Sequence, residues 1–142
     1  MNLKFDYACS FSEGLAAVKI NGLYGYVDKK GQIVIEPQFT DAGDFNDNVA
    51  IVGIKNKKFC IDRFGKIISK KYDCIITFSE GMAIVELKGK RGYINATGEL
   101  VIQPSFVSAL NFSEGLAPVY VDKKKLGFVD KTGELAIPAK FK

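Results

Sequence analysis

Histidine and tryptophan are both missing from this 142-residue chain. Without imidazole, serine–histidine and cysteine–histidine nucleophilic chemistry is excluded, as is any metal site that needs a histidine ligand. Cysteine is scarce. The three present, Cys9, Cys60 and Cys74, are an odd number with no C-x-x-C spacing, so they frame no disulfide scaffold and fit a reducing compartment. No apolar run reaches the length of a membrane-spanning helix, and MNLKFDYACSFSEG holds no apolar stretch long enough for a signal-peptide core. The expected location is the cytoplasm, or the envelope or exterior if the chain is excised from a longer protein. The net charge of +4 is milder than a dedicated nucleic-acid binder concentrates. Phosphate-binding glycine loops of either standard spacing are also lacking, and no cofactor or metal is expected.

What the chain does have is repetition. FSEGLA stands at Phe11–Ala16 and again at Phe112–Ala117, with FSEGMA at Phe78–Ala83 and FNDNVA at Phe45–Ala50 between them. The four phenylalanines are 34, 33 and 34 residues apart. Each is followed by DKKG, DRFG, NATG or DKTG, at Asp28–Gly31, Asp62–Gly65, Asn95–Gly98 and Asp130–Gly133. Then come IVIEPQF, IISKKY, LVIQPSF and LAIPAKF, ending at Phe39, Tyr72, Phe106 and Phe141. An aromatic six residues ahead of each FSEG phenylalanine (Phe5, Phe39, Tyr72, Phe106) opens the repeat, which sets the boundaries at 5–38, 39–71, 72–105 and 106–140 within one domain, 1–142.

Inside a repeat the apolar period is two, the signature of a half-buried strand. Alternate positions after the FSEG motif read Ala16-Val18-Ile20, Ala50-Val52-Ile54, Ala83-Val85-Leu87 and Ala117-Val119-Val121. A second strand carries Tyr26-Val27, Cys60-Ile61, Tyr93-Ile94 and Phe128-Val129. The third, Ile33-Val34-Ile35 and its equivalents, is apolar at every position and is expected to be covered on both faces. Turn chemistry separates them. Asn21-Gly22 and Lys88-Gly89 are two-residue hairpin signals, and Gly31, Gly65, Gly98 and Gly133 end type I turns in the left-handed conformation. Gly14, Gly81 and Gly115, with Asn48 in the second repeat, are expected at positive φ in the Ser-Glu-Gly joint. The fold class is therefore all-β: four tandem three-stranded antiparallel meanders of about 34 residues, stacked as an open array. A closed four-bladed ring is the alternative, in which the segment Phe39–Phe45 supplies a fourth strand.

The pattern F-x-E-G-L-A-x-V followed by G-Y-V-D-K-x-G-x-L-V-I-x-P-x-F resembles the WG-repeat (KWG) family of bacterial β-repeats over almost the whole chain. The resemblance implies a β-repeat array with no established catalytic activity, often part of a secreted or envelope protein. The tryptophan that names the family falls at Tyr24, Lys58, Arg91 and Leu126, so it is absent from all four repeats. The glycine after it is kept at Gly25, Gly92 and Gly127 and replaced by Phe59 in the second.

Three columns could carry chemistry. Glu13, Asp47, Glu80 and Glu114 place an acid in every Ser-Glu-Gly joint, read as a solvated turn residue. Asp28, Asp62, Asn95 and Asp130 suit a side chain that hydrogen-bonds its own turn. The third column is basic: the hairpin between first and second strands carries Lys55, Lys57 and Lys58, then Lys88, Lys90 and Arg91, then Lys123, Lys124 and Lys125. Repeats stacked in register would align these into a basic edge for an anionic partner, such as an acidic protein face, a polyanionic glycan or lipid headgroups. Aromatics are not interleaved with the lysines, which argues against single-stranded nucleic acid. The expected function is a non-enzymatic module that offers an extended surface to a macromolecular partner, with self-association through uncapped ends. A structural spacer is the alternative, and a glycan-binding module comes third, weakened by the missing tryptophans. Tyr7, Tyr24, Phe64 and Tyr120 are the aromatics whose exposure would separate binding from scaffolding.

Overall fold

The alternation described above becomes antiparallel sheet in a computed structural model that describes residues 7–76, 78–123 and 125–141, without the side chains of Tyr7 and of 136–141. Phe5 and Lys124 lie outside the described residues. The first sheet runs β1 (Tyr7–Ala8), β2 (Ala16–Ile20), β3 (Leu23–Val27) and β4 (Ile33–Phe39) in chain order. The second is β5 (Asp41–Ala42), β6 (Ala50–Ile54) and β7 (Lys57–Ile61). The third is β8 (Cys74–Ile75), β9 (Met82–Leu87), β10 (Lys90–Asn95) and β11 (Leu100–Phe106). The fourth is β12 (Ser108–Ala109), β13 (Leu116–Tyr120), β14 (Leu126–Asp130) and β15 (Leu135–Phe141). The protein is all-β, with one antiparallel meander per repeat and no helix among the described residues. Two compact units divide it, Met1–Lys70 and Lys71–Lys142, each holding two sheets.

The two-residue strands β1, β5, β8 and β12 pair with the strand that follows the joint, Ala42 opposite Val52 for example, so three sheets have four strands where the pattern indicated three. Expected burial of the third strand on both faces is corrected. Along β4, Ile35 and Phe39 are buried while Val34 is 42% exposed and Glu36 and Gln38 face solvent. An apolar residue on the open face of a strand is ordinary surface, and here it made a one-sided strand read as two-sided.

Opposite that strand, the glycine of the second is a close-approach residue. The β3–β4 register slips between Tyr24↔Phe39 and Tyr26↔Ile35, and the bulge brings the Ile35–Pro37 backbone against Gly25. A Cβ on Gly25 would lie 2.4 Å from the Ile35 carbonyl oxygen, and one on Gly92 2.2 Å from that of Ile102. Proline sits in the bulge, where it forfeits no ladder hydrogen bond. The second repeat has lost the glycine (Phe59), the proline and one residue of length together. Its ladder shrinks to the single bridge Ile61↔Ile67, with the Ser69 hydroxyl accepting the Cys60 N–H at 2.8 Å instead. That is the physical origin of the 33-residue step.

Within each unit the back of one sheet packs on the front of the next. In the first unit Leu15, Ala17, Tyr26 and Ile35 meet Phe45, Ala50, Val52 and Ile61 in one core. In the second, Met82, Ile84, Tyr93 and Ile102 meet Ala109, Phe112, Ala117, Val119 and Val129. In the first repeat Leu15 and Ala17 join this core while Ala16 and Val18 are buried in a second cluster with Val27, which is why odd and even positions are both apolar.

Candidate functional site

The basic hairpins follow from turn geometry. Lys55-Asn56 and Lys88-Gly89 are tight two-residue turns with both φ values positive, 50° and 68° in one, 52° and 80° in the other. This conformation matches the twist of the flanking strands and throws the tip into water. Lys55, Lys57, Lys88 and Lys90 are exposed, as are Lys123 and Lys125 on the longer β13–β14 loop, which the Lys125 N–H to Asp122 carboxylate bond (3.0 Å) organises. Two members of the column differ. Lys58 is ion-paired with Asp41, and Arg91 Nε donates to Glu86 at 3.2 Å while its Nη1 reaches the Ala109 carbonyl. The column thus separates into internally neutralised bases near the strands and solvated lysines at the tips. The side chains of Lys88, Lys90, Lys123 and Lys125 form no ion pair among the described residues.

The acid column does more than its sequence suggests. In each Ser-Glu-Gly joint the acid has positive φ as well, 53° at Glu13, 52° at Asp47 and 53° at both Glu80 and Glu114, ahead of Gly14, Asn48, Gly81 and Gly115 at 82°, 68°, 78° and 80°. Such a turn closes its outer hydrogen bonds and leaves the two central N–H groups pointing outward together, a small anion-binding nest. In the second and fourth repeats the previous repeat fills it. Glu13 accepts the N–H groups of Asp47 and Asn48 at 2.7 and 2.9 Å, and Glu80 accepts those of Glu114 and Gly115 at 2.7 and 2.9 Å. A base from the following repeat closes over each carboxylate, Arg63 at 3.8 Å and Lys131 at 3.6 Å. Bonds from the Gly115 N–H first, then the Glu114 N–H, hold the Glu80 carboxyl below the usual glutamate range. Around this latch, Ser12 and Ser79 donate to the carbonyls of Phe45 and Phe112 at 2.7 and 2.9 Å. Tyr26 and Tyr93 donate to those of Gly43 and Leu110, both at 2.6 Å, and their rings meet Phe45 and Phe112 edge-on. Burial pushes both phenols well above their ordinary range, so they remain donors. Single-residue reasoning missed the latch because the ligand is backbone 34 residues further on. The recurrence of an acid beside a left-handed residue was the available signal.

The remaining columns are structural. Asp28, Asp62, Asn95 and Asp130 each accept the N–H groups two and four residues on, at 2.9 to 3.2 Å, which holds the hairpins ended by Gly31, Gly65, Gly98 and Gly133, at φ of 81° to 92°. The three cysteines are free thiols, and burial pushes Cys60 up to about 11. Among the described residues no three acids or cysteines converge on a point that could hold a metal ion. Of the aromatics, Phe64 is 87% exposed, Tyr24 and Tyr120 are half-buried, and Lys19 stacks on the Tyr24 ring with its Nζ 5.5 Å from the centroid.

The same repeat spacing appears in comparisons with known proteins. The family described as "WG containing repeat" matches at 2–24, 24–58, 59–90, 92–124 and 127–142. The chain belongs to the WG-repeat family. In this WG-repeat protein the naming tryptophan position is occupied by Tyr24, Lys58, Arg91 and Leu126, each paired across the first hairpin with Lys19, Gly53, Glu86 and Tyr120. Two of the bases in the lysine column thus stand where the family has its indole. No curated protein matches the chain. Among solved structures, the computationally designed Ika4 protein is similar at 14% identity and a TM-score of 0.52, over 84% of this chain and 87% of that one. The designed Ika8 protein (13%, TM-score 0.49) aligns with 89% of this chain, which spans 46% of Ika8's length. BamB from Moraxella catarrhalis (14%, TM-score 0.49) aligns over 85% of this chain and 44% of its own. At these identities the likeness to Ika4 concerns the fold alone.

Proposed function

We propose that this WG-repeat protein is a non-catalytic interaction module whose lysine-tipped hairpins dock an acidic face of a partner protein. The observation that carries the reading is the division of the basic column. Lys58 and Arg91 have acids of their own, whereas Lys88, Lys90, Lys123 and Lys125, on the two first hairpins of the second unit, stay solvated without an ion pair among the described residues. Lysine at a hairpin tip also keeps strand edges from pairing. A solvated ammonium adds little to folding and much to encounter with an anionic surface, where desolvation and ion release occur on contact. Changing Lys88, Lys90, Lys123 and Lys125 to glutamine is therefore expected to leave the melting temperature almost unmoved. Retention on immobilised poly-glutamate should fall to clearly lower salt. Equal elution of the variant and the wild type would remove the acidic partner and leave the repeats as a spacer.

A further inference from the structure

Every joint inside a unit is directional. The leading repeat contributes a glutamate carboxylate, a tyrosine ring and an isoleucine; the following repeat receives them on its turn N–H pair, its phenylalanine ring and its hairpin glycine. Ile35 lies against Gly65 and Ile102 against Gly133, at 3.2 and 3.1 Å from where a Cβ would be.

The first repeat carries the rim groups of the receiving side as well, and among the described residues nothing fills them. Phe11 is 49% exposed where Phe45 and Phe112 are 0% and 2%. The N–H groups of Glu13 and Gly14 have no acceptor among the described residues, although the same pair is filled by a carboxylate at Asp47–Asn48 and Glu114–Gly115. A Cβ on Gly31 would meet nothing within 4 Å. Beneath them Ala16, Val18 and Val27 are buried, so the vacancy is confined to this rim. The fourth repeat carries the matching glutamate, with Phe128 at the tyrosine position, and neither is used in this way among the described residues. Its Glu114 carboxylate is exposed and accepts no hydrogen bond among the described residues. Leu116, Pro118 and Phe128 are half-buried, where Leu15, Ala17 and Tyr26, and likewise Met82, Ile84 and Tyr93, are buried. Lys29, exposed, stands at the repeat position from which Arg63 and Lys131 close over their glutamates.

We propose that the fourth repeat of one copy seats on the first repeat of a second copy, head to tail. The Glu114 carboxylate takes the Glu13 and Gly14 N–H groups, Lys29 closes over it, and Phe128 covers Phe11. The occupant is a second copy of this chain because one chain holds the carboxylate, the base and the N–H pair that close the rim of the joints it already builds twice. A contact of this kind is heterologous and adds copies one after another unless the rotation between them closes a ring.

The test is sedimentation velocity across a concentration series, with melting temperature as the folding control. The wild-type mass should rise with concentration. Glu114→Lys and Lys29→Glu, both at exposed side chains, should each associate at least tenfold more weakly. Mixing the two should restore one-to-one dimers, since the Lys29→Glu copy keeps Glu114 and the Glu114→Lys copy keeps Lys29. Phe11→Ser, which leaves charge untouched, should weaken association in the same direction. A wild type that stays monomeric at every concentration overturns the proposal, as do variants that associate like the wild type or a mixture no stronger than its components.

Discussion

Glycine is written into this sequence for two separate reasons, and substitution distinguishes them. At Gly81 the need is conformational: φ is 78°, and a Cβ would meet nothing within 4 Å. At Gly92 the need is room, because a Cβ would lie 2.2 Å from the Ile102 carbonyl oxygen and 2.7 Å from the Pro104 nitrogen, both backbone. Gly81→Ala should cost about 1 kcal/mol, the penalty of an L-residue in the left-handed region. Gly92→Ala should cost about 3 kcal/mol, because the bulge must open to admit a methyl group. Urea titrations of both variants measure the ranking, and equal losses would remove the close-approach account. The second repeat has already made the larger substitution at Phe59, and its glycine, its proline and its third-strand ladder went together.

Between elements, the joints depend on the buried phenols. Tyr93→Phe removes the bond to Leu110 while keeping the ring against Phe112, 5.0 Å between centroids. The loss of a hydrogen bond whose acceptor is left unpaired should lower unfolding free energy by about 1 kcal/mol. Chemical denaturation would show it, and an unchanged midpoint would mean that water satisfies the carbonyl. Element by element, legibility followed the information that a side chain can encode. Strands β2, β3, β9, β10, β13 and β14 were readable because five or six residues of alternation define a face. The strands β1, β5, β8 and β12 were not, because two residues have no period. The buried third strand was misread at Val34, since apolar character says what a residue tolerates and not which side it faces. Of the candidate site, the lysines could be found by column, but their division could not. Asp41 and Glu86 reach Lys58 and Arg91 only once β5 lies beside β6 and β9 beside β10.

At the scale of the whole molecule, the Glu80 latch couples stability to pH. Glu80 is held low chiefly by the Gly115 and Glu114 N–H groups, and Asp130 is lowered first by the Thr132 hydroxyl, which donates at 2.5 Å. A carboxyl whose folded value lies below its unfolded value stabilises the fold above the unfolded value, about 4.3 for glutamate. That contribution disappears as pH falls through the lower folded value. The melting temperature should therefore hold steady from neutrality to about pH 5 and decline below the ordinary carboxylate range. Glu80→Gln should start from a lower melting temperature at pH 7 and decline less steeply, with the slope that remains belonging to Asp130 and the other acids. Parallel curves for variant and wild type would detach the latch from acid sensitivity. The latch also bears on how such a chain changes over generations. The acid and the N–H pair travel on one hairpin, so an in-frame duplication of about 34 residues copies the plug together with its socket. A gene that gains a repeat in this way gains a carboxylate and a matching N–H pair together.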